Sequence, residues 1–527
     1  MAESDIDIDI LRAEASKAFA SGSNKWNSVF ERLYLSLVIE GVLTLEGISA
    51  EEVTDQCSLA DYRFPPDLTL VFRDCDFGGC ALHARASKKN GFGCKSLTLE
   101  KGCQNFSLVA SDLENLLVTD CSNFSFRTSA KIGRLKVMQC KEIKESIVST
   151  GEKLELVDLK FVRSLSISFI YGADICINRI DSLQDLTLAQ NNNAASKHRH
   201  SSVRVIDSKF SSIAIKGRGR KSDVSPYETD IEFKDVDCID AILASMNIGS
   251  LSLCFRTIYS LNISDLDVSD KFSVRTNHLK HENLRLDLFS IQDSAFSGAA
   301  YIAGFNSIKE FSITNSKFEG TTEFSNMTFL STPDFSNTDF YPISAMPTEK
   351  SFDIFDTENN DTILELNKLN LLKQIASKKM DRRFQADIFA VEQKYRRARK
   401  IGSRSERLFS YLYDKTSNYG RSILLPVVWI ILMVFASAIC LGFLELYSKQ
   451  DQPVWSLSLP IDWQTISNSA ANSLLNTFLP FRFLTQNLSE YGSHSLFFLA
   501  ISFLQSLFSV FLLAMFAIAV RWNFKRD

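Results

Sequence analysis

Two neighbouring stretches, LTLEKGCQNFSL (97–108) and LLVTDCSNFSF (116–126), share an outline that returns as LKVMQCKEIKESI (135–147), LELVDLKFVRSLSI (154–167) and ICINRIDSLQDLTL (175–188). The leading residues Leu97, Leu116, Leu135 and Leu154 are 19 apart, and Ile175 follows after 21. Each unit opens on an alternating apolar pair and reaches Cys103, Cys121, Cys140, Leu159 or Ile180 five or six residues later. In most units a second short alternating strand follows. Alternation sends side chains to opposite faces, so one face of each strand is buried. A repeat near 20 residues predicts short coils stacked on one another, each burying its apolar face against its neighbours.

Working outward, strand units recur less regularly at 203–215, 231–243, 251–263 and 266–274. IQDSAF (291–296) and ITNSKF (313–318) lie 22 apart. Phe324, Phe329, Phe335 and Phe340 then follow at intervals of 5, 6 and 5, a spacing similar to that of pentapeptide repeats. No L-x-x-L-x-L-x-x-N-x-L frame persists, which argues against a leucine-rich repeat. Residues 11–45 read as helical with one apolar face, so 1–60 is expected to cap the repeat domain, 61–340, and protect its open edge.

The chain has 527 residues and a net charge of −4, which gives no global attraction to nucleic acid or anionic lipid. Its 11 cysteines are an odd, scattered set without a C-x-x-C pair or zinc spacing. Reduced thiols and a cytosolic repeat domain are expected, with no metal and no cofactor. The opening MAESDIDIDILRAEASKAF is acidic and does not read as a signal peptide.

Residues 423–444 and 496–520 carry no charge over 22 and 25 residues. At 1.5 Å per residue even the shorter run is about 33 Å, enough for the hydrocarbon core. Arg404, Arg407, Lys415 and Arg421 precede the first run, and Arg521, Lys525 and Arg526 follow the second. The loop 445–495 holds only Lys449 and Arg482. Both termini are therefore expected in the cytosol.

Between the spans lies SNSAANSLLNTFLPF (467–481). A re-entrant helix over 465–479 would offer Ser467, Asn468, Asn472 and Asn476 to water, with Phe478 at an apolar constriction. The competing reading is an amphipathic helix on the outer surface. Gln505, in the second span, is expected either to line a pore or to hold helices together. The loop has no T-V-G-Y-G filter and no acidic ring, so weak selectivity is expected. One two-span subunit encloses no pore, so a channel requires a homo-oligomer, a tetramer being favoured.

The connector, 341–422, begins with a polar, turn-rich stretch. Helices are expected over 362–380, with Ile363, Leu366, Leu369 and Ile375 on one face, and over 382–400, with Phe384, Ile388, Val391 and Tyr395 on one face. Phe389, Glu392 and Arg396-Arg397, then Arg421-Ser422 with Pro426, then Leu504-Gln505-Ser506-Leu507-Phe508-Ser509 and the basic ending RWNFKRD form a familiar set. With the Phe-rich repeats, they make the C-terminal part resemble bacterial pentapeptide-repeat membrane proteins with a two-span, channel-like domain. The resemblance implies an ion-channel subunit of a bacterial inner membrane, several relatives being membrane effectors of anti-phage defence.

Two polar excursions interrupt the repeats, NNNAASKHRHSSVR (191–204) and KGRGRKS (216–222). They gather Lys197, His198, Arg199, His200, Arg204, Lys216, Arg218, Arg220 and Lys221. Such groups in Gly-rich loops bind phosphates by charge and backbone N–H, making a nucleotide or short nucleic acid the candidate ligand. A solvated loop without a ligand is the alternative. P-loop, dinucleotide, nucleophile-elbow and zinc-protease motifs are absent, and no enzyme is expected.

The expected fold is multidomain β plus α: a cytosolic right-handed parallel β-solenoid, a helical connector, and two transmembrane helices with a re-entrant helix between them, 423–527. The expected function is a channel gated by a cytosolic signal, such as a ligand or partner protein. The alternative is a membrane-anchored β-solenoid scaffold that binds a protein or nucleotide partner and conducts no ions.

Overall fold

The structure is a computed structural model. It describes residues 8–524 apart from 23, 29–41, 50, 53–55, 59–61, 63–67, 86–93, 112, 129–131, 151–152, 171–172, 183, 192–199, 218–227, 277–284, 341–342, 346, 348, 355–361, 379–381, 449–462 and 486–494. The chain divides into two compact units, 1–353 and 354–527. The first is rich in β-strand, and the second is helical.

All pairings among the described strands are parallel. Early in the unit a strand pairs with the strand two places on, so Ser96–Glu100 joins Asn115–Thr119, and Gln104–Ser111 joins Ser122–Thr128. The repeat period thus becomes a register. Leu43, Leu70, Leu97, Leu116, Leu135, Leu154, Ile175, Val203 and Ile231 stand in one column. Each is fully buried. Burying one aliphatic side chain contributes about 1.5–3 kcal/mol, so the column is a continuous source of stability.

A second column runs Leu82, Leu108, Phe126, Ser146, Leu165, Leu186, Ile213, Ala241, Leu261, Phe289 and Phe311. Near the end the core becomes aromatic. Phe296, Phe318 and Phe340 stack at 4.5 and 4.9 Å between ring centroids. Phe324, Phe329 and Phe335 are buried beside them.

Sharp corners make the stacking feasible. Asp74, Lys101, Asp120, Gln139, Asp158, Arg179, Asp207, Asp235, Asp265, Asp293, Asn315 and Asn337 all have positive φ. Asp and Asn tolerate this left-handed geometry better than most residues, and they supply most of the set. A small or aliphatic residue follows most of them and points inward. Where it is Cys75, Cys121 or Cys140, the thiol donates to the carbonyl two residues back, at 3.1–3.3 Å. Ser208, Ser294 and Ser316 make the same bond with a hydroxyl. Gly298 and Gly320 allow the closest backbone approach: a Cβ on Gly298 would lie 1.4 Å from the Asp270 carbonyl oxygen.

Helix α1, Ile8–Ala20, packs on the first strands. Ser16 accepts the Glu46 N–H, and the Phe19 ring lies 5.1 Å from Phe72. Most of the expected apolar segment beyond it, 29–41, lies outside the described residues.

In the second unit, α2 is Thr362–Lys378, α3 Arg382–Ala398 and α4 Arg404–Ser417. They are followed by α5, Leu424–Ser448, α6, Trp463–Phe478, and α7, Ser495–Phe524. In α3 the expected face, Phe384, Ile388, Val391 and Tyr395, is buried. In α2 the buried face is Glu365, Leu369, Leu372 and Ala376, and Ile363 is exposed. That stripe keeps the 3.6-residue period, from which Ile363 drifts away. Helix α4, absent from the expected connector, is closed by a capping box between Ser403 and Glu406.

Candidate functional site

Helices α5 and α7 are long and apolar enough to cross a membrane. Only 11% of the apolar window of α5 and 28% of that of α7 are buried. The core helix of a soluble protein would be covered. Here Leu424, Val428, Ile431, Phe435 and Ile439 of α5, and Phe503, Leu507 and Phe508 of α7, face outward.

Helix α6 packs against both, and its sidedness is the reverse of a water-soluble helix. Ser469, Ser473, Asn476 and Thr477 are buried, while Leu474, Leu475 and Phe478 are exposed. Positions i, i+4, i+7 and i+8 form one stripe, with Ser469 beside Gly442 of α5 and Ser473, Asn476 and Thr477 against α7. There they face Ser502, Gln505, Ser506 and Ser509, also buried and also one stripe.

Gln505 is the centre of this seam. Its Nε2 donates to the Ser473 carbonyl at 2.7 Å and lies 2.9 Å from both the Ser473 and Thr477 hydroxyl oxygens. The Ser473 hydroxyl itself donates to Val434 O, and that of Thr477 to Ser473 O. Both hydroxyls can therefore only accept from Gln505, which fixes the orientation of the amide. Among the described residues its Oε1 is left buried with no hydrogen-bond partner, as is Oδ1 of Asn476. Asn476 Nδ2 reaches Ser502 Oγ at 3.4 Å, and Ser506 Oγ accepts the Phe481 N–H.

Of the residues expected to line a pore, the structure brings Asn476 and Gln505 into this seam. Ser467, Asn468 and Phe478 are on the exposed surface of α6, and Asn472 is half-buried. Sequence reasoning missed Ser469, Ser473, Thr477, Ser502, Ser506 and Ser509. The spacing of serines around Gln505 was the available signal, read there only as part of a resemblance.

The connector residues of the resemblance form one network. Glu392, 3% exposed, takes ion pairs from Lys373 of α2 and Arg396. Arg397 bonds Asp414 of α4 at 2.7 Å and the Tyr419 hydroxyl at 3.1 Å. Arg421, at the entrance to α5, pairs with Asp387 of α3 at 2.7 Å. The Phe389 ring meets that of Tyr419 edge-on at 6.0 Å. These contacts tie α3 to the start of the first apolar helix.

The basic loops are only partly described. Lys197, His198, Arg199, Arg218, Arg220 and Lys221 lie outside the described residues. Arg204 reaches Asp174 at 3.6 Å, Lys216 ends the strand Lys209–Lys216, and His200 begins another.

Buried Cys75, Cys121 and Cys140 are corner residues. Contact with the Cys103 sulfur and burial push the thiols of Cys75 and Cys121 far above the ordinary range. Burial raises those of Cys94 and Cys238 to about 12. They serve as small inward-facing groups. Comparison of the chain with family models, curated proteins and solved structures gave no match.

Proposed function

We propose that this chain is the subunit of a homo-oligomeric channel in a bacterial inner membrane. Its β-rich unit is a cytosolic right-handed parallel β-solenoid, the reading its parallel ladders and repeated corners support. Helices α2–α4 couple that unit to the membrane helices. The carrying observation is the polar seam, above all the Gln505 and Asn476 oxygens buried without partners. An unmatched buried acceptor costs about 1–3 kcal/mol, and a hydrated path relieves that cost where lipid cannot. Opening would collapse the membrane potential, in keeping with the anti-phage effectors the sequence resembles. The basic loops at 197–221 are the proposed phosphate-ligand site that sets the gate.

A non-conducting scaffold is the competing reading. It is favoured by Gln505 Nε2, Ser473 and Thr477 satisfying one another within a single chain. Planar-bilayer recording of the purified oligomer separates the two. A channel shows stepwise currents whose unitary size changes at least about twofold in Gln505→Leu, the amide dipole being removed from the path. Silence from a confirmed oligomer, with every nucleotide tried, leaves the scaffold.

A further inference from the structure

Helices α4, α5 and α7 enclose a groove of about 470 Å³ that the seam does not use. Its walls are apolar, including Leu432, Met433, Phe508 and Leu512, and Lys415 is the charged residue that lines it. The volume is within the range of about 300–1,000 Å³ typical of sites for small organic ligands. From Leu424 at the start of α5 to Ala436, the deepest α5 residue in the wall, the helix rises about 18 Å. That matches one leaflet of a hydrocarbon core about 30 Å thick.

The charges are gathered at one end. Lys415 lies 5.9 Å from the Tyr411 ring and, among the described residues, has no carboxylate in ion-pair range. Its neighbour Asp414 is already held by Arg397 and Lys394. Tyr411 and Lys415 fall on one stripe of α4, and both line the groove. Trp429, whose indole N–H donates to the Lys415 carbonyl at 3.0 Å, stands beside them in the wall. Leu408 and Phe409 project outward from α4, as on a helix seated at a lipid surface.

We propose that this groove binds an anionic phospholipid of the cytosolic leaflet. One acyl chain lies along α5 and α7, and the phosphate headgroup meets Lys415. The proposal rests on the membrane reading of α5 and α7, not on conduction.

The test is quenching of Trp429 by lipids brominated on the acyl chain, taken as the difference between the full-length protein and Trp429→Phe in vesicles. Brominated phosphatidylglycerol should half-quench at about a fivefold lower mole fraction than brominated phosphatidylcholine. Lys415→Gln should erase that preference, and Lys415→Arg, which keeps the charge, should retain it. Equal quenching by both lipids in the native chain overturns the site and leaves the spans standing. Quenching by neither overturns the membrane reading and the site together. Quenching that appears only when the oligomer is dissociated assigns the groove to a second copy of the chain and overturns the lipid.

Discussion

Ser146 occupies an apolar column, between Phe126 and Leu165, and its hydroxyl is buried with no partner among the described residues. By spacing alone, Ile143 and Ile147 fall on one face. A register shift between Ile143 and Glu145 flips the strand, so Ser146 and Val148 point inward instead. Ser146→Ala removes an unmatched hydroxyl at almost no loss of volume. It should raise stability by about 1 kcal/mol, seen as a higher urea midpoint at unchanged slope. A lower midpoint would mean that the hydroxyl has a partner. Cys140 poses the opposite case, because serine already makes its bond at other corners. Cys140→Ser should stay within about 1 kcal/mol of the native chain in the same assay, and a loss of several would break the equivalence of thiol and hydroxyl there.

At the scale of the element, ladders carry charge as well as apolar columns. Lys153, two residues back on the same strand, and Lys136, opposite on the neighbouring strand, both reach Glu155, and their bonds hold its carboxyl below the usual range. A depressed folded pKa means stability that is present above the unfolded value and lost as pH falls through the folded one. The β-rich unit should therefore lose stability on acidification from the ordinary glutamate range downward, and Glu155→Gln should flatten that part of the profile. An unchanged acid limb in the variant would show that the ladder contributes nothing measurable. Helix α4 is the element sequence reading passed over, although Ser403-Arg404-Ser405-Glu406 spells a capping box. Its apolar residues Leu408, Phe409 and Leu412 are too few to stand out beside the two spans. What marks it is the pairing of Arg397 with Asp414, visible only once α3 and α4 are side by side.

For the whole molecule, the predicted topology is open to direct test. A single cysteine placed at residue 527 of a cysteine-free chain should resist a membrane-impermeant maleimide in intact cells, and one at 449 should react. The reverse pattern would invert the orientation drawn from Arg421, Arg521 and their neighbours. Much of the strand register and the two apolar helices was legible in the chain. The 19-residue spacing of Leu97, Leu116, Leu135 and Leu154 became a parallel register, because strands of equal pattern bury their apolar faces together when like residues pair. The two uncharged runs became α5 and α7, because length and hydropathy are local properties. Which side of α6 faces inward was decided only in three dimensions. Both the stripe of Ser469, Ser473, Asn476 and Thr477 and the neighbouring face of Ser467 and Asn468 are polar, so composition could not choose between them. The choice followed from Gln505, whose two N–H bonds must be satisfied in an apolar setting and find Ser473 and Thr477 across a gap of 28 to 32 residues in sequence. Periodicity reports what each segment must bury; only packing determines against which partner.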